Sequence, residues 1–157
     1  MNNIKQVFVE KEFIDDSLRV RGFADLIINL DNGEFHLYDI KSANAWAYKM
    51  RVGRKGTPSK HQQMQVATYG LMMENDPEIG RVDSLNIIYY NKDNSSIKIA
   101  SQSKDDTMLS AFTYWDAINQ EHIDGLPQLE KGVSPVEDWE CRYCSFRTIC
   151  EEDKGKE

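Results

Sequence analysis

The sequence contains no apolar run approaching the roughly 20 residues that a membrane-spanning helix needs. Its opening stretch, MNNIKQVFVEKEF, alternates like a strand and has neither the charged nor the apolar region of a signal peptide. A soluble, cytoplasmic protein with no membrane partner is the expectation. Cysteine is scarce: Cys141, Cys144 and Cys150 are the full set, all near the C-terminus. An odd, clustered set cannot pair completely, which argues against a secreted disulfide framework. Internal repeats, low-complexity segments and a convincing domain linker are also missing. With 157 residues, the chain reads as one domain able to bury one sizeable core, with a core over 1–124 and a cysteine-bearing arm over 125–157.

The most informative deficit is local. Between Asp39 and Glu74 there is no acidic residue, while Lys41, Lys49, Arg51, Arg54, Lys55, Lys60 and His61 fall in that window. A formal charge of −7 would ordinarily count against a nucleic-acid partner. Screening limits charge interactions to about 8 Å, however, so distribution outweighs the sum. The acids gather elsewhere, at Asp15-Asp16, Asp105-Asp106 and Glu151-Glu152-Asp153.

Apolar periodicity predicts an edge-like strand over 4–13, strands over 18–30 and 34–41, and a helix from Ser59, as N-cap, through Glu74. Residues 42–50 allow a short helix or a loop, and 52–58 read as a connection. Strands over 85–90 and 97–101 follow, then a long helix capped by Ser103, with Met108, Phe112, Trp115, Ile118 and His122 at helical spacing. Both faces of the 34–41 strand are largely apolar, so it should lie inside the sheet, covered on each side. The order of elements points to an α/β (α+β) fold with a mixed central sheet flanked by helices.

Two charges interrupt this pattern. Asp25 and Asp39 stand in the strands joined by Asp31-Asn32-Gly33, a hairpin signal in which Gly33 can supply a positive φ. A three-residue loop sets Asp25 opposite Asp39, with Cβ atoms about 5 Å apart on one face. A two-residue Asn32-Gly33 turn pairs Asp25 with Ile40 instead and throws the carboxylates onto opposite faces. Two carboxylates so close repel unless a cation or a shared proton intervenes, which points to a divalent metal site. Lys41 projects from the same strand face as Asp39, and this combination suits phosphodiester hydrolysis. On the following helix, Gln65 and Tyr69 lie four apart on one face.

Gly22-Phe23-Ala24-Asp25, Asp39-Ile40-Lys41, Gln65 through Tyr69 in a Q-x3-Y arrangement, and Cys141, Cys144 and Cys150 occur in this order along most of the chain. The ordered set resembles the PD-(D/E)xK nuclease superfamily, and within it the RecB-like branch that includes the CRISPR-associated iron-sulfur exonucleases and related phage nucleases. The resemblance implies a restriction-endonuclease-like core and a metal-dependent DNA nuclease, an exonuclease acting on ends or single strands. It also implies a phage or recombination and repair setting, with a helicase or recombination protein as partner. Asp25 and Asp39 would ligate Mg²⁺ or Mn²⁺, with the Ile40 carbonyl as a third oxygen. Lys41 would orient or deprotonate the attacking water, and Gln65 and Tyr69 would steady the site and contact the substrate backbone. Lys49, Arg51, Arg54, Lys55 and Lys60 would supply phosphate contacts, and Trp46 with Tyr48 would stack on bases.

The cysteines imply a [4Fe-4S] cluster or Zn²⁺, for which three thiolates are one ligand short. In the iron-sulfur members an N-terminal helix supplies a further cysteine and a histidine metal ligand, and this sequence opens on its first strand with neither. Either the protein is a fragment or minimal version, or the missing groups come from another chain, or they are dispensable. A different class of reading is a noncatalytic nucleic-acid-binding module of the same fold. A structural zinc-ribbon-like protein leaves the carboxylate hairpin unexplained.

Overall fold

The computed structural model describes residues 2–54, 56–123 and 139–149. Its elements are β1 (Ile4–Asp15), β2 (Val20–Leu30), β3 (Phe35–Ala43), α1 (Ala45–Val52), α2 (Lys60–Asn75), β4 (Ser84–Asn91), β5 (Ile97–Gln102), α3 (Lys104–Ile123) and α4 (Glu140–Tyr143). The five strands form one sheet in the order β1-β2-β3-β4-β5. All neighbours are antiparallel except β3 and β4, which are parallel. Parallel neighbours cannot be joined by a tight turn and need a crossover, and α1 and α2 occupy that crossover. The mixed sheet with flanking helices expected from the sequence is what forms.

The chain divides into two compact units, Met1–Phe112 and Thr113–Glu157. In the first, the core gathers on one face of the sheet, where Ile27, Leu37, Leu85 and Ile87 meet Val66, Ala67, Met72 and Met73 of α2, all almost wholly buried. Gly70 lets α2 approach closely, since a Cβ there would lie 2.8 Å from Leu85 Cδ2 and 3.4 Å from Met108. In the second, Trp139 and Tyr143 meet edge to face at 6.1 Å, and α4 carries Cys141.

Several expectations are corrected. β3 is interior, but it is not covered on each side: Leu37 and Asp39 are buried, whereas on the other face Tyr38 is half-buried and Ile40 is 46% exposed. The reason is that α2 and the start of α3 pack on the same side of the sheet. Ser59 holds the cap position of α2 without a side-chain cap bond, its hydroxyl lying 3.3 Å from His61 Nε2 instead. The buried face of α2 runs through Val66, Ala67, Thr68, Gly70, Met72 and Met73. On α3, Met108 and Ala111 are buried while Phe112 is exposed, and the His122 side chain falls outside the described residues. No helix among the described residues is long and apolar enough to cross a membrane.

The turn after β1 is fastened by a buried carboxylate. Asp15 Oδ1 accepts from the Ser17 and Leu18 backbone N–H groups, each at 3.0 Å, and Oδ2 accepts from Asn75 Nδ2 at 2.8 Å at the end of α2. Burial alone would raise its pKa, but the hydrogen bonds from Asn75, Ser17 and Leu18 outweigh it and hold the carboxyl below its usual range. A depressed carboxyl contributes stability above its ordinary pKa of 3.8 and loses that contribution as pH falls through the lower folded value. Asp15→Ala should therefore cost about 1–3 kcal/mol in urea denaturation at neutral pH. The gap from wild type should narrow as pH falls below the ordinary carboxyl pKa and through the lowered folded value.

Candidate active site

The hairpin between β2 and β3 fixes the site. Leu30 N–H donates to the Glu34 carbonyl and Gly33 N–H to the Leu30 carbonyl, both at 2.9 Å. Gly33 has φ +85°, and Glu34 N–H donates to Asn32 Oδ1 at 3.1 Å. The loop thus holds Asp31, Asn32 and Gly33 between Leu30 and Glu34. The odd loop length sets the pairing Asn29–Phe35, Ile28–His36, Ile27–Leu37 and Leu26–Tyr38. The next rung in this register is Asp25 with Asp39. There the backbone ladder stops and a side chain takes over, Asp25 Oδ2 accepting the Ile40 N–H at 2.6 Å.

The ladder on the other side of β2 also breaks here. Lys11–Ala24 and Val9–Leu26 pair, but the rung between them, Glu10 with Asp25, is missing, and Glu10 has φ +50°. Ala24 and Ile27 are both fully buried although three residues apart, an odd step that a regular strand does not allow. An irregularity of this kind re-aims a side chain, and the one at this point is Asp25.

Asp39 is 1% exposed in the middle of the sheet. Burial pushes its carboxyl above the usual range, the Lys41 ammonium opposes that shift, and the Asp25 charge adds to it. Lys41 Nζ donates to Asp39 Oδ1 at 3.1 Å and lies 3.0 Å from Oδ2. Besides that ammonium, Oδ2 has no donor among the described residues. Lys41 Nζ also donates to Gln65 Oε1 at 2.7 Å, so three of the expected residues converge. A buried anionic oxygen whose one close donor is that ammonium, beside a second carboxylate, fits a hard divalent cation. No group of three or more His, Cys, Asp or Glu assembles among the described residues, so the protein's acidic donors at this point are Asp25 and Asp39.

The family model for the PD-(D/E)XK nuclease superfamily matches residues 2–151. The chain belongs to that superfamily. Twenty chains of solved structures match it. One, titled "Crystal structure of SSO0001", aligns at a TM-score of 0.51 with 20% identity, covering 92% of this chain and 59% of its own. That likeness is one of fold, and this chain spans under two thirds of that structure's chain. No curated protein matches.

Other residues of this superfamily member take up their places less uniformly. Tyr69 packs its ring on Gly22, where a Cβ would come within 2.8 Å of Cε1; the glycine of Gly-Phe-Ala-Asp therefore makes room for α2. Trp46 is 73% exposed on α1, a helix capped by Asn44, whose Oδ1 accepts the Ala47 N–H at 2.8 Å. Lys49, Arg54 and Lys60 are exposed and Arg51 is half-buried, while Lys55 lies outside the described residues. Cys141 and Cys144 are exposed, and Cys150 lies outside the described residues.

Two residues of this neighbourhood escaped the sequence reading. Tyr89 is the register partner of Lys41 and is 1% exposed. Its hydroxyl donates to Gln62 Oε1 at 2.6 Å. Burial pushes its pKa up to about 12, with Arg51 opposing and Asp39 adding. The available signal was the phase of the apolar run Ile87-Ile88-Tyr89-Tyr90, which becomes readable only once β4 is paired parallel to β3.

A carboxyl whose folded pKa is raised costs stability as pH rises through the interval above its ordinary value. Asp39→Asn should accordingly melt at or above the wild-type temperature in metal-free buffer at neutral pH, by a few degrees at most for about 1 kcal/mol. A ligand that binds the native state stabilises it, so Mn²⁺ should raise the melting temperature of wild type and leave Asp39→Asn unmoved. The wild-type gain should fade as pH drops through the raised Asp39 pKa, because the ligand must be ionised.

Proposed function

We propose that this chain is a Mg²⁺- or Mn²⁺-dependent deoxyribonuclease that hydrolyses phosphodiester bonds at ends or in single strands. One observation carries the reading: the buried Asp39 carboxylate lies one rung beyond the paired ladder, across the hairpin from Asp25, with Lys41 ion-paired to it. Asp25 and Asp39, with the Ile40 carbonyl, would hold the cation, which when bound acidifies water and offsets charge on the phosphate oxygens.

The chain's own groups do the remaining work. An ammonium has three N–H donors. Asp39 and Gln65 take two from Lys41, leaving the third for the attacking water or a phosphate oxygen. Gln65 therefore fixes where Lys41 points, and Tyr69, seated on Gly22, fixes the distance of α2 from the strands. Exposed Lys49, Arg54 and Lys60 supply sequence-independent phosphate attraction. Trp46, standing clear of the protein surface, offers a face on which an unpaired base can stack. Cys141 and Cys144, with Cys150, are assigned to a cluster or zinc.

A second reading, a nucleic-acid-binding module that cleaves poorly, is favoured by the limited acidic donor set among the described residues. One assay separates the two. Incubation with labelled single-stranded DNA, double-stranded DNA and RNA in Mn²⁺ should show DNA cleavage by wild type. Lys41→Ala and Asp39→Ala should each fall by at least about 100-fold, the scale of losing a positioned proton-transfer group. Binding of DNA with no cutting above those variants would support the binding module and sink the enzyme.

A further inference from the structure

Lys41 and Tyr89 are register partners on adjacent strands, and each is tied to a glutamine of α2. Lys41 Nζ donates to Gln65 Oε1 at 2.7 Å, and the Tyr89 hydroxyl donates to Gln62 Oε1 at 2.6 Å. Gln62 and Gln65 are three apart, so they occupy one helical face. The two bonds are rungs of the same small ladder between sheet and helix.

The orientation of each amide follows from its partner. An ammonium can only donate, so Gln65 must offer it oxygen. Tyr89 is buried and holds its proton, with a pKa of about 12. Its one hydrogen-bond partner among the described residues is Gln62, so reversing the amide would leave the phenolic proton without an acceptor, which a buried hydroxyl rarely tolerates. Each glutamine therefore turns its NH₂ group away from its partner. No described residue accepts a hydrogen bond from Gln62 Nε2, and Gln62 is half-buried at the N-terminal end of α2, one turn from the residue that holds Lys41.

The geometry points to Gln62, oriented by Tyr89, as a substrate-positioning residue whose amide N–H groups donate to a phosphate oxygen of the bound strand. The inference rests on the nuclease reading for the nature of its ligand. A neutral donor held in place suits this task because it adds direction beside Lys41 without adding charge. Tyr89 acts through Gln62 and touches no substrate.

The test is a binding titration of the full chain with a labelled single-stranded oligonucleotide in EDTA, where no cleavage occurs. Gln62→Met, which keeps the size but has no donor, should weaken binding about tenfold, as expected for one hydrogen bond to a charged oxygen. Tyr89→Phe should weaken it severalfold, and the double variant should be no worse than Gln62→Met, since both changes disable one pair. The slope of log Kd against log salt should stay at the wild-type value because no charge is removed. Gln62→Glu keeps an acceptor for Tyr89 and should melt like wild type, which separates folding from binding. If Gln62→Met unfolds, Tyr89→Phe carries the same test without adding charge. Wild-type affinity in Gln62→Met, or losses that multiply in the double variant, would overturn the assignment. A wild type that binds no oligonucleotide would overturn the nuclease reading itself.

Discussion

The structure depends on keeping one carboxylate in a place that disfavours it. Asp39 sits in the central strand with its side chain wholly buried, and an isolated charge there would be neutralised or expelled. What keeps it is the Lys41 ammonium two residues on, because burial and the Asp25 charge across the hairpin both work against it. Removing Lys41 would leave Asp39 as an uncompensated buried charge and cost more than the pair contributes, whereas neutralising Asp39 relieves the site. The site therefore holds together only as a set. Stability is conceded at that point, and the raised pKa of Asp39 is its signature.

The fold supplies the set through two registers. The three-residue loop at Asp31-Asn32-Gly33 determines which residue of β2 meets Asp39. The parallel pairing of β3 with β4 places Tyr89 beside Lys41, and the crossover that parallel strands demand brings α2, with Gln62, Gln65 and Tyr69, over that same point. Lys41 lies near the C-terminal end of β3, the end of a strand at which open sheets with crossover helices gather their ligands.

What could be read from the sequence was local. The turn chemistry of Asp31 to Gly33 left two registers open, and the carboxylates, together with Lys41 at the next same-face position, favoured the one that forms. Helical spacing put Gln65 and Tyr69 on one face, and their place at the site came from the resemblance to the nuclease superfamily. The partnership of Tyr89 with Gln62 was not readable, because it needs the phase of β4 relative to β3, separated by the whole crossover. The bend at Asp25 was missed for a related reason: it depends on Glu10 adopting a positive φ on a neighbouring strand. Covering of β3 was overestimated, because apolar residues on both faces of a strand say nothing about which side the helices take. Ser59 marked the start of α2 by position rather than by the hydrogen bond that usually explains the choice of serine.

The central claim is that Asp39 Oδ2, which no donor but Lys41 approaches among the described residues, takes a cation. Crystals grown with Mn²⁺ and measured for anomalous scattering test it most directly. The account predicts a peak in contact with Asp39 Oδ2 and an oxygen of Asp25, with Lys41 still bonded to Gln65. A peak elsewhere, or an Asp39 carboxylate that remains unligated with Mn²⁺ in excess, would contradict it.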